Sequence, residues 1–261
     1  FHQPQEELQR LADEALAMAR RLGDARTITE VLSRTRVAVH FLETVEERFP
    51  LYVESRRLAD QVDDPVVTFH AAQALLWAGA VRADMVTFDE QLATMIAISE
   101  RVGQPILQWL TRYTEAMRAA IAGDLDRSEQ LADEAMKIGG DSGQPDALTF
   151  WGGQIMRIRQ MQGRLAELLD FITDLAAANS EFPVFRAVHA VAASHAGDDS
   201  TARRLLEEER RRGFDSAHEM QWATAATLWT EVIVRLEHVE AAAELYPLLV
   251  PFERFTAFTG L

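Results

Sequence analysis

The sequence predicts an all-α protein: a right-handed superhelical solenoid of about 12 or 13 helices, with a repeat of about 40 residues and no β-sheet. Three observations carry this expectation. The first is a period. Gly103-Gln104-Pro105 returns forty residues later as Gly143-Gln144-Pro145, and the same step backwards meets Asp63-Asp64-Pro65 and then Gly23-Asp24-Ala25. The second is composition, since 48% of the residues are hydrophobic and Ala, Leu, Glu and Arg dominate while strand-forming runs are missing. The third is helical spacing of apolar residues. Leu125, Ser128, Leu131, Ala135 and Ile138 fall on one face, and Asp126, Arg127, Glu129, Gln130, Asp133, Glu134 and Lys137 take the rest.

Residues 6–22 carry Leu8, Leu11, Ala15 and Met18 in that frame, so the chain opens on the second helix of a repeat. A first helix is then expected from Ala25 to Leu42, a longer turn or short helix over 43–49, and a second helix from Pro50 to Val62, because Pro is excluded from a helix interior. The next repeat spans Pro65 to Val102, with Met85, Phe88, Leu92, Met95 and Ile98 as a buried stripe. In the central repeat Ile106–Ala122 is apolar around most of its circumference, Gly123-Asp124 ends one helix and caps the next, and Gly139-Gly140-Asp141-Ser142-Gly143 closes the unit. The fourth repeat starts at Pro145, turns at Gly163-Arg164 and buries Leu165, Leu168, Phe171, Ile172 and Leu175. The fifth runs from Pro183 through a turn at Gly197-Asp198, a step of 34 residues from the preceding turn glycine. Its Glu207–Arg212 charge run reads as a solvated helix face. A last pair covers Ala217–Leu236 and Val239–Tyr246, after which Pro247 and Pro251 interrupt the pattern. The chain is thus expected to be one helical-repeat domain over 1–261, with repeats near 25–64, 65–104, 105–144, 145–182, 183–216 and 217–252. Phe1 in place of Met, and an end at Thr259-Gly260-Leu261, suggest a piece of a longer protein.

A net charge of −15 argues against direct nucleic-acid binding, which needs clustered Lys and Arg. Zero Cys excludes disulfides and thiolate metal sites. No apolar run approaches the roughly 20 residues of a membrane span. No GxxxxGK[ST], HExxH, CxxC or GxSxG motif is present, so no cofactor, metal or catalytic residue is expected. The seven His are dispersed, and His189 and His195 point to different faces of one helix.

The stretches LADEALAMARRLGD, LQWLTRYTEAMRAAIAGDLDRSEQLADEAM, QGRLAELLDFITDLAA and AAAELYPLLVPF resemble the tetratricopeptide-like region of large multidomain bacterial regulators. The resemblance implies a cytoplasmic helical module in a protein that also carries an NTPase module, with a LuxR-type DNA-binding domain or a nucleotide-cyclase domain elsewhere. It implies that the helical region senses a ligand or partner and releases the NTPase switch. The expected partners are a small-molecule effector or protein segment in a concave groove, other domains of the same chain, and in one arrangement a second copy. The tetratricopeptide consensus steps by 34 residues, whereas this chain mostly steps by forty, which implies longer first helices.

In such pairs the first helix of each repeat lines the groove. Offsets of 5, 8 and 12 select Glu30, Ser33 and Val37; His70, Gln73 and Trp77; Leu110, Tyr113 and Met117; and Phe150, Gly153 and Arg157. Of these, Gln73, Trp77, Tyr113 and Arg157 are the candidate ligand-binding residues, Arg157 as the anion partner. The alternative register makes the same offsets core and exposes Gln108, Arg112, Glu115 and Arg118. Gly152-Gly153 reads either as a close helix contact or as backbone accessible beside a ligand. A non-catalytic sensor is the expected function. A helical enzyme with a buried acidic site and a pure dimerisation scaffold are the alternatives.

Overall fold

Short polar caps set the helix starts. Asp24 accepts a hydrogen bond from the backbone N–H of Thr27 at 2.8 Å, Asp64 from Val66 at 2.9 Å, Asp84 from Thr87 at 3.0 Å and Asp124 from Arg127 at 3.1 Å. These are two series, 24 and 64, 84 and 124, each stepping by forty, and each carboxylate satisfies a donor that the first turn leaves open. The structure, a computed structural model, describes residues 5–39, 42–180, 182–214 and 221–257. Among them are thirteen α-helices and no strand: α1 (Gln5–Leu22), α2 (Ala25–Thr35), α3 (Val45–Ala59), α4 (Pro65–Val81), α5 (Met85–Val102), α6 (Pro105–Ile121), α7 (Leu125–Asp141), α8 (Ala147–Met161), α9 (Leu169–Ala178), α10 (Pro183–His195), α11 (Asp199–Arg210), α12 (Trp222–Arg235) and α13 (Val239–Leu249). From α2 to α7 a helix begins every twenty residues, at Ala25, Val45, Pro65, Met85, Pro105 and Leu125.

The chain divides into two compact units, with the division inside α8 after Gln154. In the first, each helix from α1 to α7 packs on the next, and α2 also packs on α4. Because α4 touches α2, α3 and α5, it is buried almost all round from Ala71 to Val81. The stripes of α5 and α7 are buried at Phe88, Leu92, Met95 and Ile98 and at Ser128, Leu131 and Ala135. Ser128 donates its hydroxyl to the Ala116 carbonyl of α6 at 2.8 Å, so a small polar residue lets the two backbones approach. In the second unit α10 is central, packed on α9, α11 and α12 around Ala190, Val191, Leu206, Trp229 and Val232.

Several boundaries differ from those expected. Helix α2 stops at Thr35, and 3-10 turns over Arg36–Val39 and Leu42–Thr44 follow. Helix α3 starts at Val45 and contains Pro50. Buried Val45, Arg48, Tyr52, Ser55 and Ala59 form one stripe across the proline, and their burial outweighs the one backbone bond that Pro50 cannot donate. Gly139 and Gly140 lie inside α7, which reaches Asp141. A Cβ on Gly139 would stand 2.6 Å from Ala147 Cβ and 3.0 Å from the Trp109 ring, so this glycine permits a close approach instead of ending a helix. A Cβ on Gly152 would meet nothing within 4 Å, so no close contact explains that residue. Helix α8 begins at Ala147, two residues after Pro145.

Residues Leu165–Leu168 form a 3-10 turn ahead of α9, and this tighter winding rotates the face. Leu165 and Ile172 are buried but Phe171 is exposed. In the charge run, Glu207 and Arg210 pair on the surface as expected, while Glu209 is buried and held by Arg186 at 2.6 Å. Pro247 lies inside α13, which reaches Leu249, and Pro251 lies in a 3-10 turn. The expected start of the last pair at Ala217, the side chain of Val37 and the chain ends at Phe1 and Thr259–Leu261 lie outside the described residues.

Candidate ligand site

The early end of α2 has a chemical consequence. Its last turns carry Ser33, and the 3-10 turn that follows swings Arg36 against α4. There Arg36 Nη2 donates to Gln73 Oε1 at 2.8 Å, and the guanidinium lies over the Trp77 ring at 4.3 Å from its centroid. Tyr52 of α3 and Tyr113 of α6 complete the surroundings. Gln73, Trp77, Tyr52 and Tyr113 are all buried. Burial pulls the Arg36 pKa below its ordinary value, and the Tyr113 and Tyr52 phenols oppose that shift. Burial likewise pushes Tyr113 up to about 12, against the pull of Arg36, Gln73 and Thr114. The His70 imidazole is depressed by burial; Gln73 acts against the shift, and Arg36 and Arg34 add to it.

The structure gathers Gln73, Trp77 and Tyr113 around Arg36, in the interior of the first unit. Tyr113 also stacks with Trp109 and Phe150, at 5.5 and 4.9 Å between ring centroids. Met117 is buried, whereas Gln108, Arg112, Glu115 and Arg118 are partly exposed. Arg112 pairs with Glu115 and Glu134, and Arg118 with Asp89. Arg157 lies on the part of α8 that belongs to the second unit, where its exposed guanidinium donates to Gln160 at 2.8 Å. Reasoning from helical offsets passes over Arg36 and Tyr52. A basic residue directly ahead of the apolar Val37-Ala38-Val39 is the one local signal for the former.

A cavity of about 100 Å³ adjoins this cluster between α2 and α4. Its walls include Glu30, Ser33 and His70 from the expected offsets, together with Arg26, Arg34 and Asp64. Arg26 is neutralised by Glu30 and Asp64. Three buried polar atoms without a hydrogen-bond partner lie in this region, Arg36 Nη1, Gln73 Nε2 and Ser33 Oγ, of which Ser33 alone lines the cavity; others are spread along the chain, at Ser55, Gln91 and Thr224 among them. The first two can only donate, and Gln73 acts as a donor on the Tyr113 phenol, whose pKa it lowers.

Several ionisable side chains of the second unit pair with one another. Glu231 takes His195 and Gln160, Glu207 takes His238 and Arg210, and Glu244 also takes Arg210. His189 meets Thr173 instead, so it and His195 do serve different faces of α10. Among the described residues no group of three or more His, Asp or Glu could hold a metal ion, and no helix is long and apolar enough to cross a membrane. Compared with models of known protein families and with curated proteins, the chain matches none.

Proposed function

We propose that the chain is a non-catalytic sensor module, a tetratricopeptide-like right-handed solenoid that binds a small effector or a protein segment. In this reading it serves a cytoplasmic bacterial signalling ATPase or LuxR-type transcription regulator whose NTPase, DNA-binding or cyclase parts lie in other domains. The observation that carries the reading is the succession of helices beginning every twenty residues from Ala25 to Leu125, capped in two forty-residue series. Repetition of one supersecondary unit is how helical arrays build extended binding surfaces. The donor cluster at Arg36 and Gln73 supports binding over turnover, because it offers hydrogen bonds and a positive charge and sets no nucleophile against a base. The test is a thermal-shift screen of the chain against a metabolite library, with product analysis of every ligand that stabilises it. Stabilisation without turnover is expected. Conversion of a stabilising ligand would overturn the reading in favour of an enzyme, and a library without effect on a chain that light scattering shows as a stable dimer would favour a scaffold.

A further inference from the structure

Helix α1 carries two apolar faces and buries one of them. Ala12, Leu16 and Ala19 are buried, the last two against Ile28 and Leu32 of α2. Leu8, Leu11, Ala15, Met18 and Leu22 form a second stripe at alternating steps of three and four residues, the spacing of a coiled-coil seam. That stripe is open, with Leu11, Met18 and Leu22 42%, 47% and 73% exposed. On interior helices the same frame is covered. Eighty residues on, Met95 and Ile98 of α5 are buried, and 120 residues on, Leu131 and Ala135 of α7 are buried, α5 packing on α4 and α7 on α6. Apolar side chains held in a row at the surface mark an interaction site, and the seam spacing fits another helix.

Charge selects the occupant. The chain has 41 acidic residues against 26 basic ones, so most of its surface repels another copy. Helix α1 departs from that surplus, with Glu6, Glu7, Asp13 and Glu14 set against Arg10, Arg20 and Arg21. The signs are also separated along it, acidic in the first turn and basic in the last. Two copies of α1 laid antiparallel place each acidic end beside the other's basic end, whereas a parallel pair sets like charges together. With the two-fold axis at Ala15, Leu8 lies opposite Leu22 of the second copy and Leu11 opposite Met18, and the small residue at the crossing lets the helices approach closely. Glu7 and Arg21 flank the stripe on one side, so each meets the other across the axis, twice in a symmetric pair. Arg21 is exposed and has no ion pair of its own among the described residues. Glu14 meets its own counterpart, each already held by Arg10 at 3.1 Å. The open stripe of α13 lacks this complementarity. Val239, Ala243 and Tyr246 are exposed there, but the charged residues of that helix are Glu240 and Glu244, so a second copy is repelled.

We propose that α1 is a self-association surface through which two copies of the chain form a weak antiparallel dimer. One 18-residue helix from each copy, about 27 Å long, makes a contact smaller than the roughly 1,200–2,000 Å² of a standard interface. The dimer is therefore reversible and concentration-dependent. The test is sedimentation equilibrium of the whole chain from roughly 5 to roughly 500 µM, over which the mass should rise from monomer toward dimer and no further. Met18→Glu puts a charge into the seam and should weaken association by about ten-fold or more. Ala17→Glu adds the same charge on the exposed side away from the stripe and should leave association unchanged. Arg21→Glu should weaken it several-fold, and Glu7→Arg combined with Arg21→Glu should restore it. A chain that stays monomeric throughout overturns the proposal and leaves the stripe to a helix of a different sequence. A dimer that Met18→Glu leaves intact, or a mass beyond the dimer, overturns it equally. If Met18→Glu loses its helical circular dichroism, the surface charge variants decide instead: an association that Arg21→Glu does not weaken, or that the exchanged pair does not restore, ends the antiparallel pairing. Dimerisation by itself leaves the sensor reading standing, which only turnover or a ligand library without effect would end.

Discussion

Gly139 and Gly140 are neighbours in α7, and a methyl group should act on them in opposite directions. At Gly139 it would collide with Ala147 Cβ at 2.6 Å and with the Trp109 ring. Both are packed atoms with no free direction to move, so Gly139→Ala should cost about 1–3 kcal/mol. At Gly140 the added Cβ meets nothing within 4 Å and the backbone is already helical, so Gly140→Ala should gain about 0.5–1 kcal/mol. Urea unfolding midpoints check the pair, and equal effects at both sites would refute the packing of α7 on Ala147. His70 gives a second residue-scale prediction, of pH dependence. Gln73, Arg36, Arg34 and Glu30 act on its imidazole, and burial dominates, so its folded pKa lies below the ordinary 6.5. Between the two values the unfolded chain binds more protons than the folded one, and stability falls as pH drops below 6.5. The capping carboxylates Asp64, Asp84 and Asp198 are also depressed, but they act in the lower carboxylate range. His189 is depressed by burial in the same way and contributes in the same window, so His70→Gln should reduce the slope of the stability profile just below pH 6.5 and leave the acid limb in place. A variant that tracks the wild type through that window would show that His70 contributes nothing to it.

At the scale of elements, the sequence makes helix type and helix starts legible wherever an Asp cap precedes an apolar stripe, as at Asp24, Asp64, Asp84 and Asp124. It misleads where a local rule meets a tertiary contact. Pro50 reads as a helix start but sits sixth in α3, because the buried stripe from Val45 to Ala59 continues across it. Gly139 reads as a helix end, although the glycine is required by a neighbour that only the fold brings near. The candidate site was legible in part for the same reason. Helical offsets find Gln73, Trp77 and Tyr113, since these lie on regular helices. They pass over Arg36, whose inward placement depends on α2 giving way to a 3-10 turn. Pro50 also yields a prediction. The residue is exposed, so its ring contributes little packing, while its missing N–H leaves the Glu46 carbonyl without that helical bond. Pro50→Ala should stabilise the chain by about 1–3 kcal/mol, less whatever conformational restriction the proline imposes on the unfolded state. Calorimetry measures it, and a lower melting temperature would mean that Pro50 is needed to set the entry to α3.

Across the whole molecule the dominant quantity is the net charge of −15, and it opposes two things at once: contact with phosphate backbones, and the compact state itself. Many exposed ion pairs pull the other way, among them Arg10 with Glu7 and Glu14, Arg164 with Glu167, and Arg210 with Glu207 and Glu244. The two contributions differ in range. An exposed pair is worth about 0–1 kcal/mol and acts at contact, so little of it is screened until the Debye length approaches a few Å. Repulsion among the surplus carboxylates acts over longer distances, which a Debye length of about 10 Å at 0.1 M salt already screens. Salt should therefore remove repulsion before it removes pairing. At neutral pH the melting temperature should rise as sodium chloride goes from roughly 20 to roughly 300 mM. A melting temperature that falls steadily over this range would show that the local pairs outweigh the surplus charge.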